Sequence, residues 1–253
     1  MSRCDVDAAW HDRRVPSLRT VTVALPAQIG RRDGLAYGLW LPEGAPRGGV
    51  VILHGAGSGK ENHHDFARVA LAAGFAAVTF DQRGHGESDG PMDGRAIDDV
   101  MGMASLLRAA TGDPALPIAL RGSSMGGYFA IVAAAGAGAR AVVAICPAPG
   151  EGLVRGVRAG RFSFAADADA LEALLSAHDL FTAVDALRAP LLIMHAEGDE
   201  QVPVEHSREL IAAARLPASR LIALPGGHHR SVQHDEEMQA VSVRFIRRAL
   251  EET

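Results

Sequence analysis

Pro117–Gly136 reads PIALRGSSMGGYFAIVAAAG. Its apolar opening predicts a strand, Gly122-Ser123-Ser124-Met125-Gly126 a sharp turn, and the Ala-rich remainder a helix. Ser124 sits at the apex of that turn. A serine hydroxyl is a weak nucleophile near neutrality and must be presented exposed, beside a base. Glycines two positions to either side remove the side chains that would obstruct so tight a bend. The helix that follows aims the positive end of its dipole at the point where an oxyanion would form. The pattern Gly-x-Ser-x-Gly occurs a second time, at Gly86-Glu87-Ser88-Asp89-Gly90. That copy lies in a polar segment broken by glycine and proline with no immediate helix, so its context is that of a turn. Ser124 is the candidate nucleophile and Ser88 a decoy.

Working outward, apolar runs alternate with amphipathic ones. Leu18–Leu25 and Leu35–Leu41 read as an antiparallel pair around Pro26–Gly34. Strands are predicted at Gly49–His54, Phe75–Phe80, Arg140–Cys146, Leu191–Ala196 and Arg220–Leu224. A helix capped by Asn62 is predicted through Ala73, closed by Gly74, and further helices over Ala96–Ala110, Val204–Arg215 and Asp235–Leu250. The last carries apolar residues at Met238, Val241, Phe245 and Ala249, with acids in its first turn and Arg247 and Arg248 near its end. This alternation implies a single α/β domain, 1–253, built on a mostly parallel eight-stranded sheet covered on both faces. One connection is too long: about 40 residues separate Cys146 from Leu191, against the usual 2–6 for such links. Residues 150–189 therefore read as a small helical cap. Its apolar residues Leu153, Val154, Phe162, Phe164, Leu171, Leu174, Leu175, Leu180 and Phe181 either wall a pocket or anchor the cap to the core.

Bulk properties narrow the function classes. A chain of 253 residues with 48% hydrophobic and 22% charged residues can bury a large core without staples. Its formal net charge of −5 and the lack of a basic run interleaved with aromatics argue against a nucleic-acid surface. Cys4 and Cys146 are too few for a disulfide framework, and Cys146 lies in an apolar run, so a buried free thiol is expected. The opening residues lack the apolar stretch of a secretory signal, and no segment approaches a membrane span, which points to a cytoplasmic protein. No histidine or cysteine spacing suggests a metal, and no cofactor is expected. HGAGSGKEN (His54–Asn62) fails as a phosphate loop, which needs Gly where His54 stands and Ser or Thr where Glu61 stands.

Four segments together, HGAGSGKEN, DQRGHGES (Asp81–Ser88), GSSMGG (Gly122–Gly127) and the pair HAEGDEQVP with LPGGHHR, give the chain its likeness. It resembles the α/β-hydrolases, whose triad follows the order Ser…Asp…His, and among them bacterial feruloyl/cinnamoyl-esterase-like and dienelactone-hydrolase-like proteins. Dienelactone hydrolases carry Cys where this chain has Ser124. The resemblance implies that Asp199, after Gly198, is the acid; Glu197 and Glu200 flank it. It implies that the base comes from the loop holding His228 and His229, with His229 matching the family's Gly-x-x-His from Gly226. Met125 N–H, by its position after the serine, and Ala56 N–H, by the resemblance, would form the oxyanion hole. His85 recurs in the family and is expected to brace loops. His63 and His64 are expected in the first turn of an exposed helix rather than in the pocket.

The expected activity is cofactor-free hydrolysis of a small-molecule carboxylic ester through an acyl-serine. The same residues would serve a thioesterase, an amidase or peptidase, or an acyltransferase. A non-catalytic binding module on the same fold is the alternative from another class.

Overall fold

The computed structural model describes residues 23–251. Among these residues, eight strands form one sheet in the order β1-β2-β4-β3-β5-β6-β7-β8. They are β1 (Gln28–Arg32), β2 (Leu35–Trp40), β3 (Gly49–Leu53), β4 (Ala76–Phe80), β5 (Ile118–Ser123), β6 (Ala139–Ile145), β7 (Leu191–Ala196) and β8 (Arg220–Leu224). β1 and β2 are antiparallel to each other, and β2 to β4; every other pairing is parallel. The helices are α1 (His64–Ala72), α2 (Ala96–Thr111), α3 (Met125–Val132), α4 (Ala134–Ala137), α5 (Gly150–Arg158), α6 (Ala168–Ala177), α7 (Leu180–Ala186), α8 (Val204–Ala213), α9 (Ser231–His234) and α10 (Glu236–Glu251). The interior strands read as unbroken apolar runs because both faces are buried. One face carries Val51, Val78, Leu120, Val142 and Ile193 against α2 and α3. The other carries Val50, Ile52, Val143 and Met194 against Phe66 of α1 and Phe245 and Ile246 of α10. This is the α/β-hydrolase arrangement expected from the sequence.

The first hairpin departs from expectation. Residues 18–22 of the predicted strand Leu18–Leu25 lie outside the described residues, and Val23–Leu25 forms no strand. The strand that pairs with β2 is Gln28–Arg32, joined through Asp33 and Gly34, both at positive φ (52° and 83°). Two such residues form the short turn whose twist suits a hairpin. QIGRR carries no apolar run because it is the exposed edge strand, with Ile29 71% exposed. Asn62 likewise does not cap a helix. Its side chain donates to Ser58 Oγ (2.9 Å), and a 3₁₀ turn, Lys60–His63, precedes α1. Gly74 does close that helix region at φ 84°.

Residues 150–189 hold α5, α6 and α7. Leu153, Leu171, Leu175 and Leu180 are buried in the same core cluster as the sheet, so these anchor the segment. Phe162 and Phe164 are half-buried. Phe181 leaves the wall altogether: it is 37% exposed and packs edge-on against His206 of α8. Among the described residues no helix is long and apolar enough to cross a membrane.

Candidate active site

Parallel register carries the ends of five strands to one rim. Leu53 pairs with Gly122, Ser123 with Ile145, Ile145 with Met194, and Ala196 with Leu224. The residues that follow each end therefore meet: His54-Gly55-Ala56, Ser124, Cys146, Asp199, and the loop to His229. Ser124 occupies φ 53°, ψ −117°, a region L-residues rarely adopt, between β5 and the first turn of α3. Its N–H donates to Ile145 O (2.8 Å), and its carbonyl accepts from Tyr128 N–H and Ala148 N–H (3.1 Å each). A Cβ at Gly122 would overlap the Gly126 carbonyl, and one at Gly126 would crowd the Leu53 and His54 carbonyls. Both elbow glycines are thus required by close backbone approach. The loop after β3 also lies against the serine, since a Cβ at Gly55 would sit 3.3 Å from Ser124 Cβ.

His229 Nδ1 lies 2.7 Å from Asp199 Oδ2, with both side chains buried. Donation of Nδ1–H to the carboxylate leaves Nε2 bare, the form a base requires. His228 is exposed and turned into its own loop, with its carbonyl accepting from Ser231 Oγ (2.7 Å) and its Nδ1 from Arg230 N–H (3.3 Å). Glu197 is exposed and bonded to Arg208 (2.9 Å), and Glu200 is exposed, so Asp199 is the buried acid of the three. Burial works against its charge. Donation from His195, His229 and the N–H groups of Val202 and Gln201 more than offsets this and holds its carboxyl well below the usual carboxylate range.

Ser88 has a different occupation. Its hydroxyl donates to Asp81 O (2.5 Å) and accepts from Ala36 N–H (2.9 Å), joining the β4 loop to β2. Ser88→Ala leaves that N–H without its acceptor, an expected cost of about 1–3 kcal/mol. Turnover should stay within about tenfold, and thermal melts beside steady-state rates check both. Beside it, Lys60, the chain's only lysine, is 4% exposed and donates to Asp81 (2.8 Å) and Glu87 (2.7 Å). Lys60 N–H also bonds Asp81 Oδ1 (2.8 Å), which fastens the far end of the loop after β3 to the end of β4.

Met125, Phe129, Leu153, Phe162, Phe164 and Leu171 line an apolar seam between α3 and the 150–189 segment that is closed to a water-sized molecule.

Residues 44–160 match the family model described as "Serine aminopeptidase, S33". Monoacylglycerol lipase of Mycolicibacterium smegmatis is 27% identical, over 80% of this chain and 88% of its own length. A soluble variant of monoglyceride lipase from Saccharomyces cerevisiae, solved with a substrate analog, superposes with a TM-score of 0.70 at 16% identity, covering 94% of this chain and 98% of that one. Est1E from Butyrivibrio proteoclasticus, solved with ferulic acid, gives 0.66 at 20% identity over 89% and 98%. The chain has the α/β-hydrolase fold.

Three histidines and a cysteine hold places that the sequence did not disclose. His195, within β7, is fully buried behind the acid. Its Nε2 lies 2.9 Å from Val202 O and 3.2 Å from Asp199 Oδ2, and its Nδ1 2.7 Å from Ser207 Oγ. The carbonyl can only accept, so Nε2 bears the proton. Cys146, at φ 43°, is buried, and its sulfur lies within 4.8 Å of the nearest ligand atoms of Asp199 and His229. Burial raises its thiol pKa, so it is the protonated, inert form that sits there. His63, expected on an exposed turn, is 2% exposed, and among the described residues neither of its ring nitrogens has a hydrogen-bond partner. Burial keeps it neutral. His64 opens α1 half-buried, edge-on to Trp40.

His54, the third, is held neutral in the same way, its pKa lowered to about 4 chiefly by burial and then by His85. The unfolded chain binds that proton near 6.5, so between these values it holds more protons than the native state. Stability is therefore present above about pH 6.5 and lost as pH falls toward about 4, by roughly 3 kcal/mol for His54 alone. Burial lowers His85 as well, with the same sign. Urea midpoints at about pH 7 and about pH 4.5 should differ accordingly; an unmoved midpoint would mean that these rings charge without cost.

Proposed function

We propose that this α/β-hydrolase cleaves carboxylic esters through an acyl-serine, with Ser124 as nucleophile, His229 as base and Asp199 as acid. The observation that carries the reading is the buried His229–Asp199 hydrogen bond of 2.7 Å on the rim where the Ser124 turn also ends. In this reading His229 Nε2 takes the Ser124 proton as the oxygen attacks the substrate carbonyl. The N–H groups of Ala56 and Met125 stabilise the tetrahedral oxyanion. Collapse expels the alcohol, which receives the proton from His229, and water activated by the same ring releases the acid. Asp199 keeps the Nδ1–H tautomer and stabilises the imidazolium without itself taking the proton.

The apolar seam between Met125 and the 150–189 cap would have to part to receive the apolar portion of a small acyl ester, and the lipase names of the relatives support that substrate class. Thioesters and amides pass through the same intermediate, so a panel of acyl esters of graded chain length, with thioester and amide analogues, decides between them. Hydrolysis of none of these, together with no fluorophosphonate label on Ser124, would leave the fold as a binding module.

A further inference from the structure

The two peptide planes on either side of Ala56 are each held by a different buried histidine. The first plane joins the Gly55 carbonyl to the Ala56 N–H, which point in opposite directions because the peptide is trans. Gly55 O accepts from Ser58 N–H (3.2 Å) and lies 2.8 Å from His54 Nδ1. Gln82 N–H donates to His54 Nε2 (2.9 Å), so the ring proton resides on Nδ1 and is given to Gly55 O. The second plane joins the Ala56 carbonyl to the Gly57 N–H, and Gly57 N–H donates to His85 Nε2 at 3.0 Å. His85 Nδ1–H in turn donates to Arg83 O (3.0 Å). One imidazole reaches from the oxyanion loop to the β4 loop and the other reaches back, their rings edge-on with centroids 4.8 Å apart.

His85 also meets the cap. Phe164 stacks on its ring, centroids 4.2 Å apart and 25° between planes, and Phe162 stacks on Phe164. Backbone bonds sew this part of the cap to the same loop: Ala165 N–H to Gly84 O (3.1 Å), Met92 N–H to Ala165 O (2.8 Å) and Asp167 N–H to Met92 O (2.9 Å). A Cβ at Gly84 would overlap Ala165 O, and one at Gly57 would meet Ser163 Oγ at 2.8 Å. The cap segment 162–167 and the oxyanion loop are thus one packed unit, joined through the His85 ring.

We propose that His54 and His85 are positioning residues that together set the direction of the Ala56 N–H, and that Phe164 couples this setting to the cap through His85. The inference rests on the reading of Ala56 as an oxyanion donor. A donor turned away from the tetrahedral oxygen loses transition-state stabilisation while substrate binding is left alone. His85→Phe keeps an aromatic surface for Phe164 but removes the acceptor for Gly57. It should lower kcat about 10- to 100-fold with KM within about twofold. Affinity for a trifluoromethyl ketone should weaken in step. His85→Gln, which retains an acceptor, should recover most of kcat.

Phe164→Leu should lower kcat severalfold with trifluoromethyl ketone affinity falling in step, any change in KM reflecting its place in the apolar seam. The double variant should have a kcat no lower than His85→Phe alone, because both act through one ring. Folding is followed by circular dichroism melts. Should His85→Phe fail to fold, Phe164→Leu and His85→Gln carry the test: a kcat loss from the first with a matching loss of trifluoromethyl ketone affinity supports the proposal. A kcat within twofold of wild type in folded His85→Phe, or in Phe164→Leu if that variant must stand alone, would overturn it. Independent, multiplying losses would overturn the coupling. Wild-type labelling at Ser124 by a fluorophosphonate separates these outcomes from failure of the hydrolase reading itself.

Discussion

Ser124→Ala is expected to lower kcat by about five to six orders of magnitude, with KM little changed. Removal of Oγ closes the acyl-enzyme route. What remains is the rate that oriented amides and substrate binding can sustain, about 10³–10⁴ over water. The fold should tolerate the change. The Ser124 side chain is only half-buried, and its φ of 53° is no harder for alanine than for serine. The Ile145 O and Tyr128 N–H bonds at this residue are made by the backbone and survive. Fluorophosphonate labelling followed by peptide mapping should find the adduct on Ser124 in the wild type and none in the variant. An adduct on Ser88 would sink the assignment, and the structure gives the reason to doubt that outcome: the Ser88 hydroxyl is already committed to Asp81 O and Ala36 N–H.

Local chemistry made much of this legible. The elbow could be read because its glycines answer to close backbone approaches within a few residues of Ser124, and the interior strands because burial on both faces leaves unbroken apolar runs. Asp199 is set apart from its neighbours Glu197 and Glu200 only by the resemblance, through the family's Gly-Asp pattern; in the structure it is the buried one of the three. Choosing between His228 and His229 depended on a spacing from Gly226, since two adjacent loop histidines look alike in sequence. What stayed hidden rests on contacts between distant segments. Nothing around His195 announces that Asp199, Val202 and Ser207 converge on it from three sides. The union of Lys60 with Asp81 and Glu87 spans 21 and 27 residues, and a lone lysine reads as a surface charge. β1 escaped notice because an edge strand needs no apolar face, and Phe181 was misplaced because helical periodicity does not say which neighbour a face will meet.

His229→Ala should cost nearly as much as loss of the serine, roughly six orders of magnitude in kcat, while Asp199→Asn should cost about four. The difference follows from the geometry. Alanine at 229 leaves Ser124 with no acceptor for its proton. Asparagine at 199 can keep Oδ1 as acceptor for Gln201 N–H and Val202 N–H, bonds of 2.9 and 3.0 Å in the native protein. Its amide nitrogen then faces His229 Nδ1, and an N–H pointed at that atom shifts the ring proton to Nε2. The imidazole stays in place but in the tautomer that cannot accept from Ser124. His195 Nε2–H keeps its Val202 O partner at 2.9 Å, so the pocket behind the acid should hold together and melting should change little. Single-turnover acylation with an activated ester resolves the two variants from each other. A rise in pH should restore some rate to both by ionising the serine directly. His228→Ala should leave kcat within about tenfold, because that ring lies in the solvent-exposed turn before α9. A four-decade loss from His228→Ala in a folded protein, with His229→Ala active, would exchange the roles of the two rings.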